Sequence, residues 1–419
     1  MDADYYLFGF LEIKGTFCMT YASSRVIAEK YRQTVDLPFC LFGVSVSLLN
    51  KYVIWLFLIF SMVFGLIFRR SIKEYVKIPG KRIYLLLVVQ CTFVGLLESA
   101  QESMTPWPFF RDLIAASVIP LYWIAAQYFI SRFSSRKIDF LYNFIVLCSI
   151  VSIIKLISNI TTIGSGSISG SRVDEWLISI SVFLIICYYK TIFNNHRYVG
   201  FFISLIVIIE FILGFSRTSI IILLVLLCSR ILLYPKVLAK VVFLVSGAVF
   251  VASFTFRKQF QELVDKFVRS LTEVSSNDIW NAEQITWNWR GFEIYCAKQK
   301  FLGGSLGNQI FGWGFGSEID AFGYSRLVTN ESALPYLHNG YYTMLIKGGL
   351  LGLLLLFLFY ISLVVYIVKR FQDLKRLSLF VVMIIAMLIT TYVIGGLFVS
   401  ANFYWIIFFA WIYRKGTLI

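Results

Sequence analysis

Apolar runs approaching the ~20 residues needed to cross a bilayer core recur along almost the whole chain. They predict spans over Val35–Leu49, Tyr52–Phe68, Ile83–Ser99, Leu113–Ile130, Ile138–Ile157 and Trp176–Tyr189. The series continues with Tyr198–Phe215, Thr218–Tyr234, Val237–Phe256, Gly340–Val368, Leu377–Val399 and Asn402–Tyr413. The first run is short, and joined to the second across Asn50–Lys51 it makes one tilted helix, so the pattern allows eleven or twelve spans. Between Arg257 and Leu337 the pattern changes. Phe260, Leu263, Val264, Phe267, Val268 and Leu271 recur at helical spacing, which predicts an amphipathic helix on the membrane or over the bundle. The polar cluster Ser275–Asp278 then caps a second predicted helix carrying Trp280, Ile285, Trp287, Trp289, Arg290, Phe292 and Tyr295. The expected organisation is all-α and polytopic. Membrane helices fill 1–256, one large external loop fills 257–337, and membrane helices return over 338–419, all in one membrane domain.

Charge gives this pattern a direction. Arg69, Arg70, Lys73, Lys77, Lys81 and Arg82 fill one loop, and Arg132, Arg136 and Lys137 the next on the same side. Lys190 and Arg197, Lys236 and Lys240, Lys369 to Arg376, then Arg414 and Lys415 continue the alternation. Basic loops stay cytoplasmic, so the intervening loops, including Arg257–Leu337, are expected outside. Composition agrees with a membrane protein: 59% of residues are hydrophobic and 15% charged, with mean hydropathy +0.78. A soluble chain could not cover itself with so little polar surface. The net charge of +15 reads as loops facing anionic lipid rather than as a nucleic-acid surface.

The seven cysteines form no C-x-x-C, so neither a zinc site nor a redox pair is expected. Met1 to Asp36 is broken by charges and shows no signal-peptide apolar core.

Few residues can carry chemistry. His338 is one of two histidines; His196 lies in a short basic loop. His338 stands where the polar loop becomes a span, and histidine is the side chain whose reference pKa, near neutrality, suits a general base. A structural histidine is the plainer alternative. Arg217 opens a span in LGFSRTSIIILL, where a cation is functional by default or reaches lipid phosphate. Glu210, seven residues earlier on the same face, is a candidate counter-ion, or a buried, hydrogen-bonded carboxyl. Arg290 carries a planar fork suited to phosphate or carboxylate, against the alternative of a surface salt bridge. Gly312-Trp313-Gly314-Phe315-Gly316 lacks the spacing and strand–helix context of a nucleotide fingerprint. Its glycines permit sharp turns close to a ligand and Trp313 offers a face to a sugar; a bare turn is the alternative.

In this order these pieces resemble the O-antigen ligase and polymerase superfamily. The resemblance rests on Ser216-Arg217 opening a span, the loop helix around Trp289-Arg290, and the G-W-G-F-G segment. It rests further on His338-Asn339 leading into Leu345, Gly348, Gly349, Leu350 and Gly352, and on Leu37-Pro38 followed by Ser47 to Asn50. It departs at Lys347, where members often carry an acid.

The resemblance implies a GT-C-like fold in the bacterial inner membrane and an inverting, metal-independent glycosyltransferase without a cofactor. The donor would be an oligosaccharide on undecaprenyl pyrophosphate. His338 would be the base, and Arg217 and Arg290 would hold the pyrophosphate as the glycosidic bond breaks. Trp313, Gly314, Gly316, Asn339 and Tyr342 would face the sugars. A polymerase, with a lipid-linked repeat unit as acceptor and a chain-length regulator and flippase as partners, is preferred over a ligase acting on lipid A-core. A transporter is the alternative of another class, but paired Gly/Pro interruptions in two halves are missing from the spans.

Overall fold

The computed structural model describes residues 35–48, 79–101, 106–133, 137–163, 173–194, 196–214, 216–231, 247, 280–327, 333–395 and 403–415. The expected span Tyr52–Phe68, the amphipathic helix 260–271 and the cap Ser275–Asp278 lie outside these residues, as does Val237–Phe256 apart from Gly247.

The apolar runs fold as helices α1 (Leu37–Leu48), α2 (Lys81–Gln101), α3 (Trp107–Arg132), α4 (Lys137–Ile163), α5 (Glu175–Ile192), α6 (Arg197–Gly214) and α7 (Arg217–Ile231). After the loop region come α11 (Gly340–Arg370), α12 (Leu374–Ile394) and α13 (Phe403–Lys415). Seven of the described helices are long and apolar enough to cross a membrane: α2 to α6, α11 and α12. The protein is thus an all-α polytopic membrane protein, and its helix boundaries keep the basic residues at alternate ends.

The bundle interior is aromatic. α13 packs along α3, and Phe140 of α4 stacks on Trp411 of α13 with rings 5.3 Å apart. α1 leans on α4, where the Asp36 N–H donates to Asn143 Oδ1 at 2.6 Å. Asp36 also caps α1, its Oδ1 accepting from the Phe39 N–H at 3.0 Å. α2 and α6 bury only one side; Leu85, Leu86, Val89 and Phe93 of α2 point away from the protein, as lipid-facing positions do.

Within the large loop the structure corrects one detail of the sequence reading. The expected single helix is two, α8 (Ala282–Trp287) and α9 (Trp289–Gly303). Asn281 opens α8 with a capping box to Gln284, and Asn288 ends α8 while its side chain accepts from the Gly291 N–H to open α9. Asparagine side chains compete for backbone partners, which is why one can interrupt an otherwise helical run. The described part of the loop also holds a short helix α10 (Leu306–Phe311), a 3-10 turn (Tyr324–Leu327) and a two-residue ribbon, β1 (Ile319–Asp320) with β2 (Ala333–Leu334). Phe292, Ile285, Cys296, Leu334, Leu337 and Ile346 form its own small core against α11.

Candidate functional site

The chain enters α11 under tight control. The buried Asn339 side chain accepts from the N–H groups of Tyr341 and Tyr342 at 3.0 and 3.3 Å, satisfying two donors that a helix start leaves open. Gly340 lies against the end of α12; a Cβ there would sit 2.6 Å from the Gly395 carbonyl oxygen. On the other side the Leu337 N–H donates to Thr343 Oγ1 at 3.0 Å. His338 is therefore held by fixed neighbours before and after it, with its own side chain 48% exposed.

The ring has a partner that the sequence reading missed. Glu293 of α9 is buried, and its two oxygens both serve His338. Oε2 accepts from the His338 main-chain N–H at 2.8 Å and Oε1 meets Nδ1 at 2.9 Å. A carboxylate facing Nδ1 keeps the proton on that nitrogen. Nε2 then carries the lone pair. Such an arrangement orients a base. The signal in the sequence was an acid on the buried face of a loop helix, flanked by Phe292 and Ile294 and three residues after Arg290.

Arg290 is half-buried on the first turn of α9. Residues three apart are neighbours on a helix surface, so it stands one turn from Glu293. No ion pair joins it to another described residue. Arg217 is half-buried at the first residue of α7. α7 packs along α12, whose C-terminal end touches Gly340. Glu210 is buried in α6, with the Val173 N–H as its hydrogen-bond donor and Lys155 as a neighbouring charge. Tyr342 is half-buried against the loop core.

The G-W-G-F-G segment threads between helices. Trp313 N–H donates to the Ile346 carbonyl and Gly314 N–H to that of Lys347, both at 2.9 Å, and Phe315 N–H donates to that of Cys91 at 2.9 Å. Gly314 has φ +73°, and a Cβ on it would come within 1.9 Å of the Gly95 nitrogen; only glycine fits there. Gly314 and Gly316 are buried, and the Gly316 N–H donates to Asp112 Oδ2 at 2.8 Å. Trp313 is half-exposed and helps to line a cavity of about 520 Å³ that also takes in Glu98, Phe109, Phe110 and Lys300. The Lys300 ammonium lies 5.3 Å from the Trp313 ring centre.

Lys347, the departure from the family pattern, is answered here. Its ammonium donates to Asp112 Oδ2 and to the Ser317 carbonyl, and lies 5.0 Å from the Tyr336 ring centre. Asp112 accepts in addition from Tyr336 Oη at 2.6 Å and from Arg111 Nε at 3.3 Å. Arg111 in turn reaches Glu318 at 2.9 Å. Burial beside Asp112 pushes the Tyr336 phenol well above its ordinary value, so it remains a donor.

A bundle of membrane-spanning helices, with His338 held by Glu293 at the start of one of them, defines a class: an all-α polytopic membrane protein. Residues 200–357, from α6 through the first half of α11, match the family model described as O-antigen ligase. In that stretch the chain is similar to the O-antigen polymerase and ligase superfamily. The match supports a glycosyltransferase-type activity, and the family acts on lipid-linked oligosaccharides and membrane lipid substrates. No curated protein and no solved structure matches the chain.

Proposed function

We propose that the protein is a surface-polysaccharide polymerase that joins lipid-pyrophosphate-linked repeat units at the external, periplasmic face of the inner membrane. The observation that carries this reading is the His338–Glu293 pair: a half-exposed histidine held by a buried carboxylate one helical turn from Arg290. An enzyme outside the cytoplasm has no nucleotide sugars, so its activated sugar arrives on a lipid such as undecaprenyl pyrophosphate. His338 Nε2 accepts the proton of the attacking hydroxyl, whose oxygen bonds to the anomeric carbon. The bond from that carbon to the pyrophosphate breaks, and its electron pair leaves with the lipid pyrophosphate. Direct attack inverts the anomeric centre. Arg217 and Arg290 hold the leaving charge, which a guanidinium does bidentately. Trp313 and Tyr342, both half-buried, would face the sugars, whereas Asn339, Gly314 and Gly316 are buried and support the site from behind.

The family description favours a second reading, transfer of finished glycan to lipid A-core. The chemistry at His338 is the same and only the acceptor differs. Purified protein in bilayers with lipid-linked repeat units distinguishes the two: a polymerase builds a ladder from repeat units alone, and a ligase transfers only when lipid A-core is supplied. In either assay His338→Gln removes activity by about 10² to 10⁴-fold, while His196→Ala keeps it. Parent-rate transfer by His338→Gln would reduce the histidine to a structural residue.

A further inference from the structure

The loop segment Leu302–Phe315 does not behave as a piece of water-exposed chain. α10 descends along α2: Asn308 Nδ2 donates to Glu98 at 3.4 Å, and three residues on, the Phe311 carbonyl accepts from Gln90 Nε2 at 2.7 Å. Glu98 and Gln90 are eight residues, about 12 Å at 1.5 Å per residue, apart in a membrane-spanning helix; the Asn308 and Glu98 side chains bridge part of that distance, and by Phe311 the segment has reached the level of Gln90. Gln90 is close to the middle of α2. At that depth the chain turns at Gly312 (φ +78°), passes Ile346, Lys347 and Cys91 through the bonds given above, and climbs back beside the first turns of α3. We infer that this part of the large loop is a re-entrant hairpin, immersed in the outer half of the bilayer and bounded on its open side by lipid acyl chains.

Two independent features point to hydrocarbon rather than water. The first is the outward surface of the hairpin. Leu302 and Leu306 are 69% and 73% exposed, and Ile310 and Phe311 are exposed too. This patch continues the outward stripes of the two helices that α10 packs against, Phe93, Leu96 and Leu97 on α2 and Leu350 and Leu354 on α11. Those stripes already face lipid, so acyl chains are the occupant that continuity requires. The second feature is how the irregular backbone is satisfied. Non-helical chain is tolerated at membrane depth only where protein supplies its partners. The hairpin meets α11 where that helix is broken, at Gly349 with φ +63° and ψ −162°. The Trp313 and Gly314 N–H groups take up the Ile346 and Lys347 carbonyls there. The single side-chain amide of Gln90 donates to two further carbonyls at this junction, Phe311 at 2.7 Å and Gly348 at 3.0 Å. In water, solvent would serve both. The charge at this depth, Lys347, is likewise paired by Asp112 and not left to solvent.

The native protein in bilayers, photolysed with a diazirine dissolved in the lipid, tests this without any substitution. Trypsin then releases residues 301–326, between Lys300 and Arg326. Carbene adducts at Leu302, Leu306, Ile310 and Phe311 are expected at a yield matching that of Leu96 and Leu97, while a water-soluble diazirine leaves the same four residues unmodified and marks the exposed Gln299. Labelled Leu96 and Leu97 with a blank 301–311 would overturn the inference. So would adducts there from the aqueous reagent, which would place the segment in water, or from neither reagent, which would mean that protein covers it.

Discussion

Glu293→Gln is the change that isolates what the buried carboxylate does. The carboxylate accepts two hydrogen bonds, from the His338 main-chain N–H at 2.8 Å and from Nδ1–H at 2.9 Å. Glutamine has the same shape but one acceptor and one donor. Its oxygen must keep the main-chain N–H, because leaving that buried donor open costs about 1–3 kcal/mol. The NH₂ group then faces Nδ1, which can accept it only by passing its proton to Nε2. The ring stays neutral and in place, yet its lone pair now points away from the acceptor hydroxyl. The expected loss is that of general-base catalysis, about 10² to 10⁴ in kcat, equivalent to about 2.7–5.4 kcal/mol. The assay is chain extension by purified protein in bilayers, with kcat and KM for the lipid-linked donor measured separately. A tautomer effect lowers kcat and leaves donor KM and the melting temperature at parent values. A merely structural role would lower the melting temperature and raise KM together. Glu293→Gln protein extending chains at the parent rate would refute the dyad.

Three further outcomes are expected. Arg290→Lys keeps the charge but loses the fork, so donor affinity and transfer rate both fall; undiminished glycan ladders at normal protein level would count against a pyrophosphate role. Lys347→Met removes the closest cation from the buried Asp112 and leaves it to Arg111, Tyr336 and the Gly316 N–H, so it destabilises by less than the about 3–5 kcal/mol of a fully broken buried pair, and Lys347→Met with Asp112→Asn costs less than the sum of the single changes; thermal melts in one detergent compare them. Burial, with Asp320 and Glu293 nearby, pushes the Cys296 thiol up to about 12 from an ordinary 9.0. The thiolate is the reactive form, so at neutral pH Cys296 resists an impermeant maleimide that modifies a Gln299→Cys thiol readily, and reactivity returns only as pH climbs toward 12.

Most of the membrane architecture was legible because an apolar run of span length has few other fates. Ile83–Ser99, Ile138–Ile157 and Gly340–Val368 each lie inside an observed helix. The loop was less so. Apolar spacing continues across Asn288, so periodicity alone joined α8 and α9, and the break was carried by one side chain capping a new helix. His338 drew attention through its position, but the acid that orients it is 45 residues away, and nothing local pairs them. Lys347 was visible as an anomaly. Its answer, Asp112, comes from α3 across 235 residues, a distance over which charge in a sequence has no geometry. The glycines of G-W-G-F-G were expected to let the chain approach a ligand; in the structure Gly312 and Gly314 instead approach protein backbone.

The base and its carboxylate belong to different parts of the chain, and this sets what holds them in register. His338 is fixed to α11 through Asn339 and to α12 through Gly340. Glu293 is fixed to α9, which reaches α11 through the apolar core of Phe292, Leu337 and Ile346. That core alone could slide, because apolar contacts are not directional. The thread from Gly312 to Glu318 supplies direction. Its N–H groups meet Ile346 and Lys347, its Ser317 carbonyl accepts from Lys347, and the Glu318 carbonyl accepts from Lys300 of α9 itself. Every bond in that series is made to main chain or to a paired charge, so α9 cannot shift along α11 without opening buried donors at several points at once. The geometry of the dyad is therefore set largely by the thread below it. A reactive group at a membrane surface, where water and lipid both offer disorder, is held from inside the helix bundle.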